Sequence, residues 1–209
     1  MRRGASSAPF VFQNCRFGPE QQNILKENTM SQQGLSPEFV LGYRAVMLDG
    51  LTREAEITKK VIAAIPDAAS SYKPDANART AKELAWHLAN SDIQFLDGIA
   101  DLKFNMETPE HKPQTSAEVV AWYDENVKRG VSRVAGMTAE QLMTPVNFFN
   151  VFNLPAVMYL GFLNNHCIHH RGELSTYLRP MGSKVPSIYG GSYDEPFNPP
   201  SAVSDETAA

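Results

Sequence analysis

The sequence predicts an all-α protein built as a bundle of four long amphipathic helices. Apolar residues recur at three- and four-residue steps in four long segments, helix-capping signals open these segments, and no convincing alternating strand pattern lies between them. At 209 residues the chain is long enough for one substantial domain and short for two. We therefore expect a flexible extension over residues 1–35, one bundle over residues 36–195 and a tail over residues 196–209.

The first helix has the clearest opening. Ser36 stands at the cap position, Pro37 at the first helical position and Glu38 in the first turn, and Pro66 ends the segment. The residues before Ser36 are rich in Gly, Ser, Asn, Gln and Pro and show no sustained period. We expect this extension to add little to the stability of the bundle.

The other helices have similar boundaries. Thr80-x-x-Glu83 and Thr115-x-x-Glu118 have the spacing of a capping box, and Thr138 suggests a short helical turn. The sequence predicts that the fourth long helix is capped by Asn153 and ends near residues 179–182. The proline- and glycine-rich stretch after it predicts no further regular structure.

Composition excludes several classes of protein. A net charge of −4 argues against a protein that binds the nucleic acid backbone. No segment approaches the run of about 18 apolar residues that a membrane span needs, and the basic start lacks a signal-peptide core. A cytoplasmic protein is expected, in which Cys15 and Cys167 are free thiols.

Three of the five histidines form a candidate metal site. His166 and His170 are four residues apart, so their side chains lie one above the other on the fourth long helix, at the border of its apolar seam. His87 is central in the second helix, and a bundle builds metal sites from ligands on facing helices. The alternative is that these histidines are hydrogen-bonded core residues. His169 is rotated away from the pair, and His111 lies in a polar loop where we expect it to be inert.

These motifs resemble a known family. Leu84-Ala-Trp-His-Leu-Ala89, the run from His166 to Gly182 and the run from Val185 to Gly190 are similar to the second-helix motif, last helix and tail of DinB-like proteins. The resemblance covers roughly residues 36–195. It implies a DinB-like four-helix bundle in which His87, His166 and His170 bind one divalent metal ion, commonly zinc or nickel, with manganese and iron as alternatives.

Glu173 departs from that resemblance, because the family usually has Gln at this position. A carboxylate one turn beyond His170 could accept a proton from a ligand imidazole or act on a metal-bound water, which would make it a catalytic residue. It could also simply pair with a nearby arginine. The sequence leaves both alternatives open.

Three histidines with no further protein ligand leave a coordination position open, as catalytic zinc sites do. The resemblance favours a thiol-dependent transferase or related chemistry, while a hydrolase or a non-catalytic, stress-related metal-binding bundle are the alternatives. The expected partners are a small-molecule substrate, such as a low-molecular-weight thiol, and a second copy of the chain in a homodimer. Nucleic acid and membrane are not expected partners.

Overall fold

A computed structural model of the protein describes residues 35–105 and 112–197. The predicted four-helix bundle is confirmed. The long helices are α1 (Pro37–Ala63), α2 (Ala81–Ala100), α3 (Ser116–Ala135) and α5 (Tyr159–Leu178), and the short α4 is Ala139–Met143. Strands β1 (Pro145–Phe148) and β2 (Phe152–Pro155) and two 3-10 turns, Asp67–Ala69 and Ala156–Met158, complete the fold. Nearly all of the predicted extension, Cys15, His111 and residues 198–209 lie outside the described ranges.

The helix openings predicted at Ser36, Thr80, Thr115 and Thr138 are confirmed. The hydroxyl of Ser36 accepts a hydrogen bond from the amide of Phe39, at 3.2 Å. The capping boxes at the starts of α2, α3 and α4 are all formed. Each capping residue satisfies a backbone donor that the helix itself leaves unpaired. The helix starts are therefore determined locally.

The bundle places α2 and α5 side by side. The main helix contacts join α2 to α3 and α5, and α1 to the same two helices. Hence α1 and α2 stand diagonally across the bundle. The core between the four helices is apolar and includes these fully buried residues: Val40, Val61, Ile62, Leu84, Leu88, Leu96, Ile99, Leu163 and Leu174. Removing such surface from water is the main favourable contribution to folding.

The start predicted for the fourth long helix is wrong. Asn153 does not cap a helix, because it lies in β2 and pairs with Asn147 of β1 in an antiparallel hairpin. Pro155, with φ −50° and ψ 137°, keeps the chain out of helical conformation until the 3-10 turn that leads into α5. The hairpin closes through the amide of Val151, which donates to the carbonyl of Phe148 at 2.9 Å.

The tail after α5 folds back onto α1. Arg171, which the sequence places on the opposite side of its helix from the histidines, is 1% exposed and forms an ion pair with Glu54 of α1. The hydroxyl of Tyr189 donates to the same carboxylate at 2.8 Å, and the Arg171 guanidinium lies 5.1 Å from the centre of the Tyr189 ring. We call these three residues the tail clasp.

The described residues include no helix with both the length and the apolar character needed to cross a membrane.

Candidate metal centre

The side chains of His87, His166 and His170 meet between α2 and α5. The Nε2 atom of His87 lies 3.2 Å from Nε2 of His170 and 3.3 Å from Nε2 of His166. One ring nitrogen from each of the three histidines lies within 4.8 Å of the others, an arrangement that could hold a metal ion. The structure therefore brings together all three histidines that the sequence selects.

The second nitrogen of each ring has its own partner. The Nδ1 atom of His87 lies 3.3 Å from the hydroxyl of Ser91, and Nδ1 of His166 lies 3.3 Å from a carboxylate oxygen of Asp92. The Nδ1 atom of His170 lies 2.9 Å from a carboxylate oxygen of Glu173. Such hydrogen bonds fix the orientation and the tautomer of an imidazole. All three rings are therefore held with Nε2 pointing inwards.

Burial keeps two of these rings uncharged. Burial, followed by the proximity of Arg79, His166 and His170, lowers the pKa of His87 to about 2. Burial, followed by the proximity of His166, lowers the pKa of His170 to about 4 although Glu173 acts against both. At neutral pH these two rings are neutral imidazoles, the form that binds a metal ion.

The donor set fits a divalent metal ion. Because carboxylates accept hydrogen bonds, the Nδ1 atoms that face Asp92 and Glu173 carry the protons, and Nε2 of His166 and His170 presents a lone pair. Both lone pairs face Nε2 of His87, which has at most one proton to share between them. Two nitrogens bound to the same tetrahedral ion at ~2.1 Å lie roughly 3.4 Å apart, close to the spacings in this cluster. A cation satisfies all three nitrogens at once.

Glu173 points towards the histidine cluster, although part of its side chain reaches solvent. Its second carboxylate oxygen accepts a hydrogen bond from the hydroxyl of Tyr177 at 3.3 Å, and its side chain is 35% exposed. Arg171, the arginine nearest to it in sequence, pairs with Glu54 instead. The geometry thus favours the interpretation in which Glu173 holds a ligand imidazole.

The structure also places the other residues that the sequence singled out. His169 is exposed and its ring contacts His170 from outside, at 4.7 Å between centroids. Cys167 is a free thiol, as predicted, and lies fully buried in the core at 3.3 Å from the Thr58 hydroxyl. Ser91, one helical turn after His87, is 1% exposed and contacts the His87 ring.

Sequence reasoning missed Asp92. This residue is fully buried and joins His166 to the hydroxyl of Tyr123, which donates to Asp92 at 2.8 Å. Five positions separate Asp92 from His87, so the two residues point in different directions on α2. The available signal was an acidic residue directly before Ile93, in the middle of a helix whose buried residues are mainly apolar.

Comparison with known proteins identifies the family. A model of the DinB family matches residues 30–201, which is most of the chain. The chain belongs to the DinB family. A curated relative is the Bacillus subtilis (strain 168) protein YrdA, described as uncharacterized. It is 28% identical over 144 residues, which cover 68% of this chain and 85% of YrdA.

Two solved structures share the fold. A DinB-like protein from Bacillus cereus superposes with a TM-score of 0.59 at 28% identity, covering 68% of this DinB-family chain and 95% of the other. The DinB-like protein YjoA from Bacillus subtilis gives a TM-score of 0.57 at 21% identity, covering 68% and 96% of the two chains. The family and the bundle are thus established together.

Proposed function

We propose that His87, His166 and His170 bind one divalent metal ion and that the protein is a metal-dependent enzyme of the thiol-transferase class. The observation that carries the proposal is the convergence of three Nε2 atoms, two of them 3.2 and 3.3 Å from the third. The partner held by each Nδ1 atom supports it, because core histidines have no general need to share one focal point. Zinc and nickel are the proposed ions, with manganese and iron as alternatives.

The protein's own residues prepare the site in two ways. Ser91, Asp92 and Glu173 fix the three rings, so that binding an ion requires little reorganisation. The three histidines supply three ligand atoms and leave further coordination positions for a small molecule. When bound, a divalent ion supplies Lewis acidity, which favours the thiolate form of a thiol substrate.

Glu173 is proposed as the residue that tunes this chemistry. Its carboxylate accepts a hydrogen bond from Nδ1–H of His170, which makes that imidazole a stronger electron donor. The hydroxyl of Tyr177 holds the carboxylate in place. The residue thus acts through His170 and stands ready to accept a proton.

The test compares two histidines of α5, one inside the cluster and one outside it. Wild-type protein purified without an affinity tag should contain about one divalent ion per chain, measured by elemental analysis, since three ligands define one site. His166→Ala should abolish stoichiometric metal while leaving most of the helicity, because apolar packing holds the bundle. The control His169→Ala removes an exposed histidine and should retain the ion.

The thiol class is tested with the same variants. Metal-loaded wild type and the His169→Ala control should accelerate the reaction of a small thiol with an alkylating electrophile, measured as loss of free thiol, and His166→Ala should not. Equal metal content in all three proteins would overturn the proposed site. Metal binding without any acceleration across a panel of thiols would overturn the thiol-transferase class and leave the site intact.

A further inference from the structure

We infer that Asp92 is a positioning residue of the metal centre, whose buried carboxylate orients His166 and balances the charge of a bound ion while Tyr123 holds the carboxylate in place. The inference rests on the proposed metal binding and extends it to a third helix. The three side chains come from α2, α3 and α5, so the arrangement ties the centre to the packing of the bundle.

The geometry of this chain of contacts is specific. One oxygen of Asp92 lies 3.3 Å from Nδ1 of His166, and the other accepts the hydrogen bond from Tyr123 at 2.8 Å. Asp92 and Tyr123 are both 0% exposed. The carboxylate therefore has both oxygens engaged in the dry interior, where water cannot replace either partner.

The energetics explain why such a carboxylate points to a bound cation. Burying a carboxylate without a compensating positive charge is strongly unfavourable. Burial, together with the neighbouring Asp92, raises the pKa of Tyr123, so its hydroxyl remains a neutral donor. His166 brings positive charge to Asp92 when a metal ion is bound at Nε2. A bound ion would supply the positive charge that the Tyr123 hydroxyl lacks.

Asp92 and Glu173 have different tasks. Glu173 is three residues from His170 on the same helix and is partly exposed, so it can exchange protons with solvent. Asp92 approaches His166 from a neighbouring helix and is sealed from solvent. Asp92 therefore fixes the position of His166 relative to α2, the helix that carries His87, and so sets the spacing between ligands on different helices.

The experiment measures the affinity for Co²⁺ in the metal-free full-length protein, using the visible absorption of the bound ion in a competition titration with a chelator. Asp92→Asn keeps the size of the side chain and an acceptor oxygen but removes the charge. We expect it to weaken Co²⁺ binding about 10–100-fold. Tyr123→Phe removes the hydroxyl that holds the carboxylate and should weaken Co²⁺ binding less than Asp92→Asn does, because the carboxylate itself remains. The matched control Asp49→Asn makes the same change at an exposed position of α1 and should bind Co²⁺ like wild type.

A second readout separates positioning from a general structural role. The melting temperature of metal-free Asp92→Asn should match or exceed that of metal-free wild type, because the substitution removes a buried charge whose balancing ion is absent. If Asp92→Asn does not fold, Asp92→Ser is measured in the same way. Wild-type affinity in a folded Asp92 variant, or a lower metal-free melting temperature with unchanged affinity, would overturn the inference. A wild-type protein that binds no Co²⁺ would overturn the proposed function itself.

Discussion

At the scale of single residues, both nitrogens of each ring in the histidine cluster have a defined neighbour. A histidine that is only hydrogen-bonded in the core needs one or two polar neighbours, and its ring nitrogens can point towards them in any direction. Here Nε2 of His87 lies 3.2 and 3.3 Å from the two other Nε2 atoms, while Nδ1 of every ring has a separate oxygen partner. A metal ligand needs this arrangement, with Nε2 directed at a shared point and Nδ1 bonded to an oxygen. A core histidine does not need it.

The first prediction at this scale concerns Glu173. Glu173→Gln keeps an amide oxygen that can accept the Nδ1 proton of His170, so the variant should retain the metal ion. Its affinity for Co²⁺ should fall about 10-fold, because the neutral amide makes His170 a weaker ligand. Any thiol-transfer rate should fall as well and change its dependence on pH, since Gln cannot take up a proton.

The matched control is Glu125→Gln, which makes the same change at an exposed position of α3. It should leave both affinity and rate unchanged, because exposed charges contribute only about 0–1 kcal/mol. If Glu173→Gln is as silent as Glu125→Gln, Glu173 is a surface charge in spite of its 2.9 Å contact with His170.

At the scale of elements, we predict that alanine substitutions at two glycines inside helices change the free energy of unfolding in opposite directions. A Cβ atom at Gly130 of α3 would lie 2.8 Å from Cβ of Leu96, so the glycine allows α2 and α3 to approach closely. Gly130→Ala should lower the free energy of unfolding by about 1–3 kcal/mol. At Gly172 of α5 nothing lies within 4 Å of an added Cβ, and Gly172→Ala should raise it by about 0.5–1 kcal/mol.

Chemical denaturation of the two variants measures both effects in one series. The two variants carry the same substitution inside a helix. They differ in their surroundings, because α2 packs against Gly130 and nothing lies close to Gly172. A stabilised Gly130→Ala variant would show that α2 and α3 can separate at little cost.

The elements also show which parts of the fold could be predicted from the sequence. Ser36, Thr80 and Thr115 cap their helices because capping needs only residues within one turn, and such signals are legible in a single sequence. The hairpin was missed for the opposite reason. Its turn depends on Phe149 and Asn150 at φ 50° and 60°, a conformation that an aromatic residue adopts only when tertiary packing imposes it.

In the candidate site too, contacts within one helix could be predicted from the sequence and contacts between helices could not. His166 and His170 share a helix, so their spacing could be read directly, and Glu173 follows on the same face. Asp92 acts on His166 across a contact between two helices, 74 positions apart in the chain. The sequence pattern around Asp92 does not predict which distant side chain it contacts.

At the scale of the whole molecule, the buried histidines should make the metal-free protein sensitive to mild acid. The pKa values of His87 and His170 fall from 6.5 in the unfolded chain to about 2 and about 4 in the folded protein. Below pH 6.5 the unfolded chain therefore binds more protons than the folded protein. By linkage, stability present above pH 6.5 is lost as the pH falls.

The measurement follows the melting temperature in the presence of a chelator between pH 7.5 and pH 5, where most carboxylates are still ionised. Wild type should lose stability across this range, and His87→Gln should lose less because one of the two depressed groups is gone. Identical pH profiles would mean that His87 is accessible to protons in the folded state.

The tail clasp affects how a newly made chain can fold. Arg171 of α5 reaches the backbone carbonyl of Glu54, 117 positions earlier, and Tyr189 reaches the Glu54 side chain across 135 positions. During synthesis from the N-terminus, α1, α2 and α3 leave the ribosome before either partner of Glu54 exists. The guanidinium of Arg171 would be buried without its ring partner until Tyr189 has also emerged. Closure of the bundle around its histidines is thus expected to be a late event, after Tyr189 has emerged.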